Sequence, residues 1–430
     1  MTEGQVIAPQ QLTALVDDGQ RQQLRLLLNE QHPADLAEWL SEMDAEHRLS
    51  CFRLLDLDNA SAVLSELELE NQRALLTELG DIGVVPIISK MSPDDAVDLL
   101  AELPAEKARS IINQMADLEA AEDIQELMTF KDDSAGGIMS TDYLALNAKM
   151  TVEQALAYLR EEYEDIEEEI YDLYVVDQQD HLVGELSLKE LITADSEALV
   201  ESLMETSFIS VTTSTDQEEA AEKLSRYDLL TLPVVDEKGR LRGIITADDV
   251  IDVIEEEATE DLYQSSGINP SSSEPSEMVG TNVRSAFQAR LPWLLATLMI
   301  ESCSASVITH FDHVIQQTVA AASFMPLLSG VTGSVATQST CIIIRGSSKN
   351  DINWRAAARN LLHESKVGML LGITCGVVTG LVSTLFHSNH DLGLIVGLSL
   401  FITMTVGVLI GTAMPMIFQR LGVEPAHASG

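Results

Sequence analysis

The residues of this chain whose types and spacing could do chemistry are carboxylates. Between positions 252 and 261 the sequence reads DVIEEEATED, six acids in ten residues. On a helix Asp252, Glu256 and Glu260 fall at i, i+4 and i+8, and Glu257 and Asp261 at i, i+4. Like charges so placed each destabilise a helix by about 0.2–0.5 kcal/mol. A second cluster, MSPDDAVDLL, sets Asp94 and Asp98 on one helix face, and TDQEE and RYDLL contribute Asp216, Glu218 and Asp228. The run 161–169 adds seven more acids and reads as solvated surface. Acids facing one another across an interface repel until a counter-cation meets them. Mg²⁺ and Ca²⁺ prefer carboxylate oxygen, and Mg²⁺ keeps several of its waters, which suits paired acids. The four cysteines (Cys51, Cys303, Cys341, Cys375) are scattered with no CxxC, so neither a disulfide framework nor a softer metal site is expected.

The 430 residues carry 69 acids against 25 bases, a formal charge of −44, which excludes a phosphate-backbone binder and hence nucleic acid as a partner. Residues 286–430 hold only seven bases and six acids, so an acidic half of net charge −45 is joined to a nearly neutral, apolar one. Four stretches near 291–311, 317–344, 367–387 and 392–418 are long enough to cross a bilayer, which takes about 20 apolar residues. Arg284 and Arg290 precede the first span, Arg345, Lys349, Arg355, Arg359 and Lys366 lie in the connection 345–366, and Arg420 follows the fourth. The other two connections hold no Lys or Arg, so both termini and the 345–366 connection are expected on the cytoplasmic side. The opening MTEGQVIAPQ lacks the marks of a signal peptide, which agrees with a cytoplasmic acidic half. The first two spans contain Glu301, Thr309, His310, Thr332, Ser334, Thr337 and Gln338, residues that in a membrane face a cavity or a bundle interior. Small residues, as in GVTGSVATQST (330–340) and GITCGVVTG (372–380), allow close helix approach.

Two repeats organise the acidic half. HPADLAEWLSEMDAE (32–46) matches SPDDAVDLLAELPAE (92–106), and each copy opens on a turn residue and continues with apolar positions at helical spacing. The spacing predicts a stack of short helices. YVVDQQDHLVGELSLKEL (174–191) aligns without gaps on PVVDEKGRLRGIITADDV (233–250): strand, turn, second strand through Gly184 or Gly243, then a helix start. This second pattern resembles a tandem pair of CBS domains, α/β modules that commonly sense adenine nucleotides or metals. Thr246 and Asp249 match the Thr-x-x-Asp that holds a nucleotide ribose in some such modules, and Ser187 and Glu190 take that place in the first copy. A capped helix start accounts for either pair equally well.

The whole arrangement resembles the MgtE magnesium channels, on the strings DSAGGIMSTDYLAL (133–146), RYDLLTLPVVDEKGRLRGIITADDVIDVIEEEATEDL (226–262), RLPWLL (290–295) and the segment 330–338. The expected fold is multidomain: an all-α helical-repeat domain (1–130), an α/β CBS pair (131–254), a connecting plug helix (255–285) and an α-helical transmembrane domain of four spans (286–430). The resemblance implies a homodimeric, multi-pass inner-membrane protein that lets Mg²⁺ in and is shut by cytosolic Mg²⁺. It assigns ion bridging to Asp94 and Asp98, to Asp216, Glu218, Asp228, Asp249 and Asp252, and to Glu257, Glu260 and Asp261. It makes Gly330, Gly333, Thr337 and Gln338 candidates for the pore lining, and ATP a candidate ligand at Thr246 and Asp249. Ser334 and Ala336 depart from the family's Gly- and Asn-bearing string there. Relatives continue into a fifth span beyond EPAHASG. Two alternatives stand beside the channel: a transporter of another divalent cation such as Co²⁺ or Mn²⁺, and a membrane-anchored Mg²⁺ or nucleotide sensor that does not conduct. No nucleophile–base constellation or P-loop points to an enzyme.

Overall fold

In the computed structural model of the chain, residues 9–162, 172–268, 283–317, 319–346, 354–421 and 425–428 are described. They fall into two units that divide within one helix, after Ile254.

The first unit begins with nine helices: α1 (Pro9–Asp17), α2 (Arg21–Leu28), α3 (Pro33–Ser41), α4 (Ala45–Phe52), α5 (Leu57–Ser65), α6 (Leu69–Ile88), α7 (Pro93–Ala101), α8 (Ala105–Ile112) and α9 (Leu118–Leu127). Several acids that weigh in the charge count hold these helices open at their N-termini. Asp44, Asp56 and Asp117 accept hydrogen bonds from the first backbone N–H groups of α4, α5 and α9, and Pro33 and Pro93 fill the first positions of α3 and α7. Gly80 turns α6 through a left-handed φ of +68° that a side chain would strain.

Two α/β modules follow. The first has β1 (Ala145–Asn147), α10 (Val152–Glu162), β2 (Asp172–Val176), β3 (Leu182–Ser187) and α11 (Leu188–Thr193). The second has β4 (Val211–Thr212), α12 (Gln217–Arg226), β5 (Thr231–Val235) and β6 (Leu241–Thr246), and runs into α13 (Ala247–Ser265). In each sheet the outer strand is parallel and the hairpin antiparallel, with the register shifting once, at Val175/Val176 and at Val234/Val235. The repeat read from 174–191 and 233–250 is thus a repeat of structure. The modules meet through Tyr174, Val176, Leu182, Val235, Leu241 and Ile244, and the Tyr174 hydroxyl lies 2.6 Å from Thr231 Oγ1. The helical stack and the second module share one apolar core, which runs from Leu12 and Leu100 to Leu224, Val234 and Val250.

The second unit holds the C-terminal part of α13, then α14 (Val283–His310), α15 (Asp312–Gln317), α16 (Val319–Ala322), α17 (Met325–Gly346), α18 (Trp354–His387) and α19 (His390–Arg420). Four stretches are long and apolar enough to span a membrane: Ala286–His310, Val319–Arg345, Ala357–His387 and His390–Arg420. Helices α18 and α19 run antiparallel on glycine. A Cβ on Gly376 would stand 2.6 Å from the Gly397 carbonyl, and one on Gly397 the same distance from that of Gly376. Gly407 and Gly411 similarly admit α17 at Thr332 and Ala336.

One expectation needs correction. The third span is not preceded by a loop up to residue 366: α18 begins at Trp354, because WRAAARNLLHES is itself rich in helix formers with no Gly or Pro. Helix α13 runs out of the second module into the expected connecting segment and ends at Ser265; residues 269–282 of that segment lie outside those described, as do Lys349 and most of the acidic run 161–169.

Candidate functional site

Asp94 sits in the first turn of α7 and Asp249 in the first turn of α13, and the core shared by the helical stack and the second CBS-like module brings them together. Asp94 is 7% exposed, and its Oδ1 has no hydrogen-bond partner among the described residues. Burial raises the Asp94 carboxyl above the ordinary range, and the neighbouring Asp95 raises it further. Asp249 is raised as well, first by burial and then by the charge of Asp94. The Thr246 hydroxyl donates to Asp249 Oδ2, which closes the start of α13, and at the matching place Ser187 and Glu190 form a reciprocal capping box at α11. Two acids therefore oppose each other's ionisation in a water-poor place, one with an oxygen left unsatisfied. That is a hard-oxygen donor set, and it fits Mg²⁺.

The other predicted acids are all more exposed than Asp94. Asp98, one turn beyond Asp94, is exposed. Asp216 caps α12, accepting from the Glu218 N–H at 3.0 Å. Asp228 ends the same helix in the left-handed region (φ +53°), where the Leu229 N–H reaches the Leu224 carbonyl at 3.0 Å. Asp252 is exposed on α13. Farther along α13, in the second unit, Glu257 and Glu260 are half-buried and Asp261 is exposed. Glu260 accepts from Gln264 Nε2 at 2.6 Å, and the Oε1 of the buried Gln264 has no partner among the described residues. No cluster of three or more His, Cys, Asp or Glu side chains poised for a metal occurs among the described residues.

Gly330, Gly333, Thr337 and Gln338 lie on one exposed stripe of α17, together with Ser334. The opposite face of α17 packs on α19 through Val335, and the Thr332 hydroxyl lies 3.1 Å from Thr403 Oγ1. Nothing stands within 4 Å of a Cβ placed on Gly330 or Gly333.

Two contacts escaped the sequence reading. Arg242 of β6 pairs with Glu126 of α9 at 3.0 Å, joining the helical stack to the second module. Glu364, counted with the 345–366 connection, is buried in the helix bundle. The signal for Glu364 was its position as the one acid in α18, three residues ahead of an unbroken apolar run.

Residues 31–133 match the MgtE intracellular N domain, 135–197 and 200–256 match CBS domains, and 325–430 match the divalent cation transporter domain of MgtE. The magnesium transporter MgtE of Bacillus subtilis is 36% identical over 97% of this chain and 91% of its own length. The chain belongs to the MgtE family of magnesium transporters. The MgtE of Thermus thermophilus is likewise 36% identical, over 97% of this chain and 92% of its own length. Members of the family are divalent cation transporters and not enzymes. Among solved structures, the cytosolic domain of the Mg²⁺ channel MgtE in complex with ATP superposes with a TM-score of 0.54 at 38% identity, covering 56% of this chain and 98% of that one. The soluble part of a magnesium transporter superposes with a TM-score of 0.54 at 32% identity, covering 58% and 98%. The helical N domain, the CBS pair and the apolar helices of the second unit are thus the parts of an MgtE transporter.

Proposed function

We propose that this MgtE protein is a homodimeric Mg²⁺ channel of the inner membrane, with its acidic half in the cytoplasm, that admits Mg²⁺ and closes when cytosolic Mg²⁺ is abundant. In this reading residues 1–130 and 131–254 form the sensing half, 255–285 the plug and 286–430 the pore domain. The observation that carries it is the buried Asp94–Asp249 pair. With both acids ionised and no cation, contact between the helical stack and the second CBS module is strained. A bound Mg²⁺ would be held by Asp94 and Asp249 and would supply the positive charge that lets both stay ionised in contact. Because the ion binds the closed arrangement better than the open one, it shifts the population toward closure. Asp98, Asp216, Glu218, Asp228 and Asp252, and Glu257, Glu260 and Asp261 on the plug, are further candidates for such bridging.

The test is limited proteolysis of the whole chain in detergent across a Mg²⁺ titration. Cleavage in residues 1–254 slows as Mg²⁺ rises into the millimolar range; an unchanged rate up to several millimolar refutes gating by closure. Competition by Co²⁺ and Mn²⁺ in vesicle uptake assigns the cargo, and uptake that never exceeds that of empty vesicles leaves the non-conducting sensor in its place. A second ligand has its own support: one MgtE relative was solved in complex with ATP. Here Thr246 and Asp249 are joined to each other, so ATP at these residues would have to break the Thr246–Asp249 hydrogen bond.

A further inference from the structure

Helix α18 opens on an exposed basic face. Arg355, Arg359, Leu362 and Lys366 follow one another at i, i+4, i+7 and i+11, so they share one side of the helix, and all four are exposed. They line a shallow groove of ≈ 470 Å³. The single acid of α18, Glu364, is buried and accepts from Ser339 of α17, so no carboxylate of α18 lies on this face. The first turn of the helix holds no acid either, and Arg355 stands there against the positive end of the helix dipole. An anion placed over these turns would be favoured by the bases and by the dipole together.

What lies beyond the bases decides the kind of anion. The same side of the helix continues through Leu370 and Ile373, 67% and 53% exposed, along the stretch Ala357–His387 that is apolar enough to span a membrane. Leu362, 64% exposed, sits among the bases themselves. An acidic protein surface, the chain's own acidic half included, would meet the bases and leave these apolar side chains without a partner. A phospholipid suits both parts. Its phosphate takes the guanidinium and ammonium groups, to which Arg can offer two N–H groups at once, and its acyl chain takes the Leu–Ile run.

We infer that the face of α18 formed by Arg355, Arg359 and Lys366 binds the headgroup of an anionic phospholipid, whose acyl chain follows the helix over Leu370 and Ile373. The inference needs the membrane setting of the family and not the gating reading above.

Melting of the whole chain is followed in a neutral detergent while phosphatidylglycerol, phosphatidylcholine or inorganic phosphate is added. Phosphatidylglycerol is expected to raise the melting temperature saturably, and the other two to leave it within a degree or so of its starting value, about what a weak, diffuse interaction gives. R359Q/K366Q is expected to need about tenfold more phosphatidylglycerol for half of the effect. Arg290 and Arg420, exposed on α14 and α19, provide the charge-matched control: R290Q/R420Q should stay within about threefold of the parent. Equal weakening of the two double variants would assign the effect to diffuse charge and overturn the inference. A parent that phosphatidylglycerol stabilises no more than phosphatidylcholine overturns it as well, and the chain's own acidic half is then the better occupant. A shift of the same size from inorganic phosphate overturns the lipid in favour of a free anion. If R359Q/K366Q does not fold, R359Q and K366Q decide singly: each is expected to weaken the effect about threefold, and two single variants that match the parent overturn the inference.

Discussion

Asp94 and Asp249 each show why an acid in this chain cannot be judged by its neighbours in sequence. Asp94 shares its turn with Asp95, yet what sets its chemistry is burial, and for Asp249 burial plus a residue 155 positions away. Neutralising one member removes the repulsion that a cation would otherwise relieve. D249N keeps an oxygen to accept from Thr246, and is expected to slow proteolysis of residues 1–254 in chelator by at least about threefold, with little further protection from Mg²⁺. A D249N chain cleaved like the parent in chelator would show that the pair does not hold the two parts apart. Acid should act in the same direction. Both carboxyls are raised above the ordinary Asp value of 3.8, so the closed form binds more protons than the open one. The stability this gives is fully present below that value and is lost as pH climbs through the raised values. In chelator, then, protection is greater at mildly acidic pH than at pH about 8, whereas the Mg²⁺ needed for half-protection rises on acidification because protons compete for the same oxygens. Equal cleavage at both pH values would contradict the assignment.

Elements were legible where one physical rule governs them. The strand–Gly–strand–helix pattern at 174–191 and 233–250 became two matching sheets because β-branched runs bounded by turn residues have few other solutions. The four apolar stretches became long helices because backbone groups in lipid must be satisfied internally. Contacts between distant parts were not legible. Nothing in periodicity tells that Asp94 meets Asp249, that Glu126 pairs with Arg242, or that Glu364 turns inward from a helix whose Arg359 and Lys366 turn outward. The small residues of 372–380 marked close approach without naming the partner, which proves to be the glycine-lined face of α19. That seam allows a prediction at the scale of the element. The Cβ of G397A would stand 2.6 Å from a backbone carbonyl, which cannot swing aside like a side chain. A loss of about 1–3 kcal/mol is expected, seen as a drop in melting temperature of several degrees. G83A, whose Cβ meets only an ordinary 3.5 Å contact, is the control. Equal melting of both variants would mean that α18 and α19 do not pack on these glycines.

At the scale of the whole molecule, one chain leaves a polar stripe of α17 uncovered on a helix apolar enough to span a membrane. Gly330, Gly333, Ser334, Thr337 and Gln338 all point away from α19, on a helix whose length and hydropathy suit the bilayer. Hydroxyl and amide groups left in hydrocarbon lack partners, whereas small residues let a second helix come near enough to supply them or to enclose water. The same stripe on a second copy meets this need with no new sequence, since a two-fold interface uses one patch twice. The proposed homodimer with its path along α17 would pair these faces, and it can be checked covalently. With Cys303 and Cys341 changed to Ser, T337C and S334C lie on the stripe, and L328C lies on the face that packs with Val335 and Leu400. Oxidation in vesicles should join T337C or S334C chains into a species of twice 46.9 kDa while L328C stays single, because a disulfide forms only when Cα atoms come within about 7 Å. If neither stripe cysteine links chains that still melt like the parent, the polar face meets something other than its own copy, and a pore along α17 shared by two copies is wrong.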